Sequence, residues 1–295
     1  MKKALIIGAF RLYLRTLALF SPRLGGRAAY RLFSTPRTRR PVPTSVESVM
    51  AMAERFDLEV ECQTAAAYRW PATSDTADAP RVMLVHGWES RAARLAVWVE
   101  PLRAAGFEVV AFDALAHGES AGKQSNPGVF VACMHALVER IGPVRACVAH
   151  SLGGLSTLIA TGDHDLDVPH IDIDRLVVIA GADSGVDAMT AFCRVLGLGE
   201  AFVPLVLAAA AADRNQAVQD FDGHRVFTNR AIPTLWLHDP EDPEVLIDEA
   251  KRVVATCPHV TLEEVHGLGH HKIARDPQVI ERGVAFLSPL THPTS

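Results

Sequence analysis

The segment Cys147–Ser156, CVAHSLGGLS, places a serine where an apolar run gives way to two glycines. RACVAHS predicts a strand and GGLSTLIATG predicts a helix, so Ser151 falls on a strand-to-helix turn that presents its hydroxyl. Ala149, Gly153 and Gly154 are small enough for strand and helix to pass closely. We therefore interpret Ser151 as a nucleophile; the alternative is a loop serine that caps the helix.

A serine hydroxyl needs a base, and histidines follow the last apolar run. HGLGHHKIARDP contains His266, His270 and His271. We choose His270 because it directly follows Gly-Leu-Gly, a loop that can hold an imidazole over a sheet edge, with a helix expected from near Lys272. A surface histidine pair is the alternative. A metal site is disfavoured because no carboxylate or cysteine cluster there has ligand spacing.

The base needs a carboxylate that fixes its tautomer. LHDPEDPEV follows another apolar run and contains Asp239, Glu241 and Asp242. Asp242 is preferred because Asp239, directly after the strand, is placed to bond the turn backbone.

Backbone amides are expected to bind the oxyanion that forms when a serine attacks a carbonyl. Leu152 directly follows the nucleophile and supplies one N–H. The second is expected from VHGWES, where His86 and Gly87 form the turn and Trp88 supplies the amide. The alternative is a turn that merely requires a glycine.

Alternating apolar runs and helical patterns must position these groups. The runs are VMLVHG, EVVAFD, RACVAHS, RLVVIAG, TLWLHD and VTLEEVHG. They predict buried parallel strands of an α/β, doubly wound sheet, whose carboxyl edge collects the polar motifs. Upstream, SVESVMAMAERF predicts a helix capped by Ser45, LEVECQ and AAYRW predict a hairpin, and ARLAVWVEPLRAAG predicts a helix after the first parallel strand.

The chain is expected to divide into four segments. Residues 1–43 form a basic helical leader and linker, and residues 44–183 form the first part of the core. Residues 184–230, apolar and helical, form a cap inserted after the sixth strand, because the interval is too long for a simple crossover. Residues 231–295 complete the core.

These motifs, in this order, resemble the α/β-hydrolase superfamily over residues 57–288. HGWES, FDALAHGES, HSLGG, LHDPEDPEV and GLGHH match its motifs. The resemblance implies a triad of Ser151, Asp242 and His270 and a lid in the region 184–230. The chain departs from the family pattern at Ala149 and Ala116, where glycine is usual, and at Leu246, where proline often follows the acid turn.

The expected activity is hydrolysis of a carboxylic ester of a small, apolar compound through an acyl-enzyme. A thioesterase, amidase, C–C bond hydrolase or perhydrolase could use the same triad. A non-catalytic ligand-binding protein on the same fold is the alternative from another class. No cofactor or metal is expected, and the Asp- and His-rich stretch 162–174 is interpreted as a solvated loop.

Composition limits the partners. The net charge of −5 gives no reason to expect nucleic acid. Five cysteines without framework spacing favour reduced thiols and a cytoplasmic setting. Oligomeric state is left open.

Charge is concentrated at the start of the chain, where residues 1–40 hold ten basic and no acidic residues. The apolar run Ala4–Phe10 is short and is followed by Arg11, which disfavours a signal peptide, and no stretch reaches the length that spans a bilayer. Two interpretations of residues 1–33 stand: amphipathic helices on an anionic membrane, peripheral to its inner face, or a helical arm packed on the protein itself.

Overall fold

The structure, a computed structural model, describes residues 2–73, 79–163, 170–214 and 217–291. Two compact units are present: Pro36–Asp183 with Gly223–Ser295, and Met1–Thr35 with Ser184–Asp222. The centre of the predicted solvated loop, residues 164–169, lies outside the described residues.

An eight-stranded sheet organises the larger unit. Its strands are β1 Glu54–Val60, β2 Gln63–Trp70, β3 Arg81–Val85, β4 Glu108–Phe112, β5 Ala146–His150, β6 Arg175–Ile179, β7 Thr234–His238 and β8 Val260–Glu264. Their order is β1-β2-β4-β3-β5-β6-β7-β8. The pairs β1–β2 and β2–β4 are antiparallel, and the pairs from β4 through β8 are parallel. The predicted fold class is confirmed.

The apolar runs explain the central strands. Every residue of β4, β5 and β7 is buried, as expected for parallel strands covered on both faces. The hairpin β1–β2 turns at Glu61 and Cys62, which have φ of 49° and 59°. Positive φ at both central residues suits a two-residue hairpin turn.

Helices flank this sheet. They are α3 Glu47–Ala51, α4 Val99–Ala104, α5 Pro127–Ile141, α6 Leu152–Thr161, α9 Gly223–Val226, α10 Ile247–Thr256, α11 Gly269–Lys272 and α12 Pro277–Leu287. Asn126 accepts from the Val129 amide at the start of α5, and Asp276 accepts from the Gln278 amide at the start of α12. Side-chain caps of this kind satisfy amides that the first helical turn leaves unpaired.

Two predicted helices are shorter than expected. The helix expected over 45–56 ends at Ala51 because β1 begins at Glu54, and no side chain caps its start. The helix expected over 93–106 is broken into two 3-10 turns before α4. Trp98 sets this path: it is fully buried and its indole N–H donates to the Ala274 carbonyl at 2.9 Å. Tertiary packing overrides local helix propensity here.

The smaller unit consists of helices. They are α1 Lys2–Phe20, α2 Pro22–Phe33, α7 Gly185–Leu196 and α8 Val203–Arg214. Ser21 accepts from the Leu24 amide at 3.4 Å and so caps α2. The inserted helices that follow β6 thus share a unit with α1 and α2. None of the described helices is both long and apolar enough to span a bilayer.

All five cysteines lie in described residues and are free thiols. Cys62 is exposed and the other four are buried. Burial raises the pKa of Cys133 and of Cys147 to about 12, so both behave as small apolar core residues. The cytoplasmic setting stays a prediction.

Candidate active site

Ser151 lies between the end of β5 and the start of α6. Its φ is 56°, in the left-handed region that non-glycine residues rarely adopt. Backbone hydrogen bonds hold it there: its amide donates to the Ile179 carbonyl at 3.0 Å, and its carbonyl accepts from the amides of Gly154 and Ala182. The strained turn raises the Ser151 side chain above the carboxyl end of β5.

Small residues around Ser151 make this turn possible. A Cβ on Gly87 would lie 2.8 Å from the Cβ of Ser151, and a Cβ on Gly153 would lie 2.4 Å from the Val85 carbonyl oxygen. A Cβ on Gly154 would lie 3.1 Å from the Gly181 Cα, which is also a tight contact. Glycine is therefore required at 87 and 153 for the β3 loop to approach Ser151. Ala149 is fully buried within β5, which accommodates its methyl group.

His270 follows β8 at the start of α11, and its imidazole is buried. Its Nε2 is 2.9 Å from Ser151 Oγ. Gly267 and Gly269 have φ of 78° and 57°, conformations that let the loop turn back toward the sheet edge. The helix α11 begins at Gly269 rather than near Lys272, so His270 is inside its first turn.

Asp242 lies in the turn after β7 and is also buried. Its Oδ2 accepts from His270 Nδ1 at 2.7 Å, and its Oδ1 accepts from the amides of Glu244 and Val245 at 2.8 and 3.1 Å. Burial raises the pKa of Asp242, but the hydrogen bond and charge of His270 and the two amides outweigh it and hold the pKa below its ordinary value. The structure thus brings Ser151, His270 and Asp242 into one hydrogen-bonded chain.

Asp239 occupies the same turn and performs a different task. Its Oδ1 accepts from the Glu241 amide at 2.9 Å, and its Oδ2 accepts from the amides of Leu268 and Gly269 at 2.7 and 2.5 Å. The carboxylate therefore ties the turn after β7 to the loop that carries His270. Burial opposes its ionisation, yet the three amides lower its pKa.

Sequence reasoning missed two further histidines that support the site. His150 Nε2 lies 2.9 Å from the His270 carbonyl oxygen, and His238 Nε2 lies 2.9 Å from the Val245 carbonyl oxygen. Burial lowers the pKa of His150 to about 3 and also lowers that of His238, so both rings are neutral and donate to these carbonyls. Their position at the last residue of a buried strand, β5 or β7, is the signal that could have identified them.

His86 fixes the loop after β3. Its Nε2 accepts from the Ala114 amide at 3.0 Å, and its Nδ1 lies 2.7 Å from the Gly87 carbonyl oxygen. Burial lowers its pKa to about 4, which leaves a neutral ring that can donate from Nδ1 while it accepts at Nε2. Among the described residues, none accepts a hydrogen bond from the amides of Trp88 or Leu152. These two amides are free to bind an anion.

Within the part of the chain that the structure describes, one group of side chains could hold a metal ion. His150, His270 and His271 each offer a ring nitrogen, and these nitrogens lie within 4.8 Å of one another. His271 is half exposed, and its Nε2 lies 3.1 Å from a Glu244 carboxylate oxygen. Since His270 Nδ1 is bonded to Asp242, an ion bound here would take the Nε2 that faces Ser151.

The sequence matches a known protein family over most of its length. The model of the alpha/beta hydrolase family matches residues 82–283, which contain every site residue described above. The chain therefore belongs to the α/β hydrolase family, as the sequence motifs predicted.

Solved structures show the same fold at low sequence identity. Mouse alpha/beta hydrolase domain-containing protein 10 is 19% identical, with a TM-score of 0.59 over 82% of this chain and 100% of that chain. An esterase of Pyrococcus furiosus is 17% identical, with a TM-score of 0.61 over 88% and 98%. A bacterial membrane phospholipase A is 15% identical, with a TM-score of 0.61 over the whole of both chains. No curated protein matched the sequence.

Proposed function

We propose that the protein hydrolyses carboxylic esters, with Ser151 as nucleophile, His270 as general base and Asp242 as the carboxylate that orients the base. The observation that carries the proposal is the hydrogen-bonded chain from Asp242 Oδ2 through His270 to Ser151 Oγ, with distances of 2.7 and 2.9 Å. Both distances lie within the range that direct proton transfer requires. Because Asp242 binds Nδ1–H, the free lone pair of His270 lies on Nε2, toward the serine.

Acylation follows from these contacts. Ser151 Oγ attacks the ester carbonyl carbon while His270 Nε2 takes the hydroxyl proton. The tetrahedral intermediate carries an oxyanion, and His270 carries a positive charge beside the Asp242 carboxylate. The carbon–oxygen ester bond then breaks, the alcohol leaves with the proton from His270, and the acyl group stays on Ser151.

The oxyanion is stabilised by the amides of Trp88 and Leu152. Leu152 is the first residue of α6, a ten-residue helix, so its N–H also lies at the positive end of the helix dipole. Preorganised donors of this kind contribute about 3–4 kcal/mol each to stabilisation of the transition state. The glycine required at position 87 and the ring of His86 hold the Trp88 amide in place.

Deacylation reverses the same proton path. His270 Nε2 takes a proton from water, the resulting hydroxide attacks the acyl carbon, and the second tetrahedral intermediate uses the same two amides. Its collapse releases the carboxylic acid and returns the proton to Ser151.

Ester hydrolysis is the reaction that the neighbouring structures support. One of them is an esterase and another a phospholipase, both of which cleave carboxylic esters. The preference for an apolar acyl group stays a prediction, since it rests on the composition of the segment VPLVLAAAAA alone.

Turnover of p-nitrophenyl butyrate tests the proposed nucleophile. Ser151→Ala is expected to reduce kcat by at least about 10³-fold, because the hydroxyl forms the covalent intermediate. Ser156→Ala is the matched control, because Ser156 lies in α6, the helix that begins directly after Ser151, and donates to the Leu152 carbonyl. Its kcat is expected to stay within a few-fold of the parent. Equal turnover by Ser151→Ala and the parent would overturn the proposal.

A second assay defines the leaving group and acyl chain. Esters, thioesters and anilides with acyl chains of two to twelve carbons would be compared through kcat/KM. We expect esters to be the best substrates, with kcat/KM rising as apolar chain length increases. A higher kcat/KM for the thioester series would show that thioesters, and not esters, are the preferred substrates. A maximum of kcat/KM at the acetyl ester would contradict the proposed preference for apolar acyl chains.

A further inference from the structure

The helix α1 exposes an unusual set of side chains. Among the described residues, ten large apolar side chains are exposed, and seven of them lie between Ile6 and Leu24. Leu12, Leu19 and Phe20 are 70%, 87% and 85% exposed. Leu12 and Leu19 are seven residues apart, as are Ile6, Tyr13 and Phe20, so these five side chains lie on one face of the helix. We call these five residues the outer face of α1.

The two arginines of α1 bond backbone carbonyls of the same unit. Between Ile6 and Phe20 the only charged residues are Arg11 and Arg15. Arg11 Nε donates to the Leu196 carbonyl at 2.7 Å, and Arg15 Nη2 donates to the Gly197 carbonyl at 2.9 Å. Both arginines thus bond the end of α7 in the same unit. Helix α1 therefore exposes large apolar side chains to solvent, while its two arginines, although exposed, are bonded to backbone carbonyls of the same unit.

Close packing holds the helix in this orientation. Leu14 is only 1% exposed and lies in the core of the smaller unit. A Cβ on Gly25 would lie 2.6 Å from the Ala18 Cβ, so α1 and α2 are in direct contact. A Cβ on Gly26 would lie 2.3 Å from the Leu205 carbonyl oxygen, so α2 also packs closely on α8. Rotation of α1 that buried its outer face would break these contacts.

The charge around this face indicates what binds it. Arg23, Arg27 and Arg31 of α2 are exposed, and none of them pairs with an acidic group among the described residues. Residues 1–40 hold ten basic residues and no acidic ones. A second copy of this segment would bring like charges together, whereas an anionic surface complements them. An apolar helix face and unpaired arginines in the same unit suit an interfacial helix on an anionic bilayer.

We propose that α1 lies in the plane of an anionic lipid surface, with its outer face inserted among the acyl chains and with Arg23, Arg27 and Arg31 on lipid phosphates. This attachment is peripheral and does not depend on the ester hydrolase activity. It gives residues 1–33 a role that the hydrolase core does not require.

Vesicle sedimentation of the full-length protein tests the proposal. The parent is expected to sediment at least tenfold more strongly with vesicles containing 30% phosphatidylglycerol than with pure phosphatidylcholine. The triple variant Leu12→Gln, Leu19→Gln, Phe20→Gln is expected to lose at least tenfold in partitioning. The matched control changes three exposed apolar residues elsewhere, Met52→Gln, Val195→Gln and Leu246→Gln, and is expected to bind as the parent does.

Charge is tested separately with Arg23→Gln, Arg27→Gln, Arg31→Gln. This variant is expected to lose the preference for anionic vesicles, and the parent is expected to lose most of its binding in 1 M salt. Thermal melting of each variant verifies that it folds. Binding of the Leu12, Leu19 and Phe20 variant equal to that of the parent would overturn the proposal. So would a parent that is dimeric in light scattering, becomes monomeric in that variant and does not bind vesicles, because a second copy would then cover the face.

Discussion

The two units of the molecule depart from the ordinary distribution of residues in opposite ways. The larger unit buries a serine, histidines and carboxylates at the carboxyl ends of its strands. The smaller unit exposes leucine, tyrosine and phenylalanine on α1. Folding usually places polar groups outside and large apolar groups inside. Each arrangement therefore lowers the stability of the folded state unless hydrogen bonds satisfy the buried polar groups or another surface covers the exposed apolar ones.

The compensation differs between the two. At the sheet edge both buried aspartates are paired: Asp242 with His270 and two amides, and Asp239 with three amides. On α1 no described residue covers the outer face. The two buried carboxylates are therefore paired within the described residues, whereas the exposed face of α1 requires the lipid surface that we propose.

The largest expected effect separates two adjacent histidines. His270→Ala is expected to lower kcat by about 10⁴-fold or more, because it removes the proposed base. His271→Ala is expected to change kcat by no more than a few-fold, since His271 is half exposed and contacts Glu244. Steady-state hydrolysis of p-nitrophenyl butyrate measures both. A similar loss in the two variants would show that the 2.9 Å contact with Ser151 does not define the base.

The two aspartates after β7 are expected to divide catalysis from stability. Asp242→Asn should lower kcat by about 10²–10⁴-fold, because an amide favours the wrong tautomer of His270. Asp239→Asn should leave kcat within about tenfold and lower the free energy of unfolding by about 1–3 kcal/mol, since it weakens three hydrogen bonds to one carboxylate. Urea denaturation beside the kinetic assay tests the division. An inactive Asp239→Asn protein of unchanged stability would reverse the two roles.

Neighbouring leucines of α1 sharpen the contrast between inner and outer faces. Leu14→Ala is expected to lower the free energy of unfolding by about 2–5 kcal/mol because it leaves a cavity in a packed core. Leu12→Ala should change it by no more than about 0.5 kcal/mol. Thermal and urea unfolding measure both. If Leu12→Ala were as destabilising as Leu14→Ala, protein would cover the outer face.

The smallest expected effect is a change with pH. The pKa of Asp239 is lowered in the folded state, so its stabilisation is fully present above the unfolded value near 4 and is lost as pH falls through the folded pKa. The difference in unfolding free energy between the parent and Asp239→Asn should therefore shrink progressively as pH falls below the unfolded value of about 4. A difference that stays constant from pH 7 to pH 2.5 would mean that the charge of Asp239 contributes nothing.

Sequence patterns predicted the parts of the fold that depend on local composition. The strands from β3 to β7 are almost continuous runs of apolar residues, and this composition is typical of a strand buried on both faces. Ser151 could be placed because a strand, a turn with small residues and a helix follow one another within ten residues. The choice of Asp242 over Asp239 used the same local logic of turn hydrogen bonds.

Other features depend on contacts between residues far apart in the chain. The amino-acid sequence gives no sign that Gly26 packs on Leu205, because nearly 180 residues separate them. The helix expected over residues 93–106 is divided because Trp98 bonds Ala274. The roles of His150 and His238 could not be predicted from the sequence, because their hydrogen-bond partners are backbone carbonyls. Every residue has a backbone carbonyl, so no sequence pattern identifies these partners.

Mass spectrometry of the protein after reaction with a fluorophosphonate tests the central claim most directly, because the probe reports an activated serine without a choice of substrate. We expect one adduct per chain, located on Ser151. The adduct should be absent from Ser151→Ala and present in Ser156→Ala. The absence of an adduct from the folded parent protein, or an adduct on another serine, would contradict it.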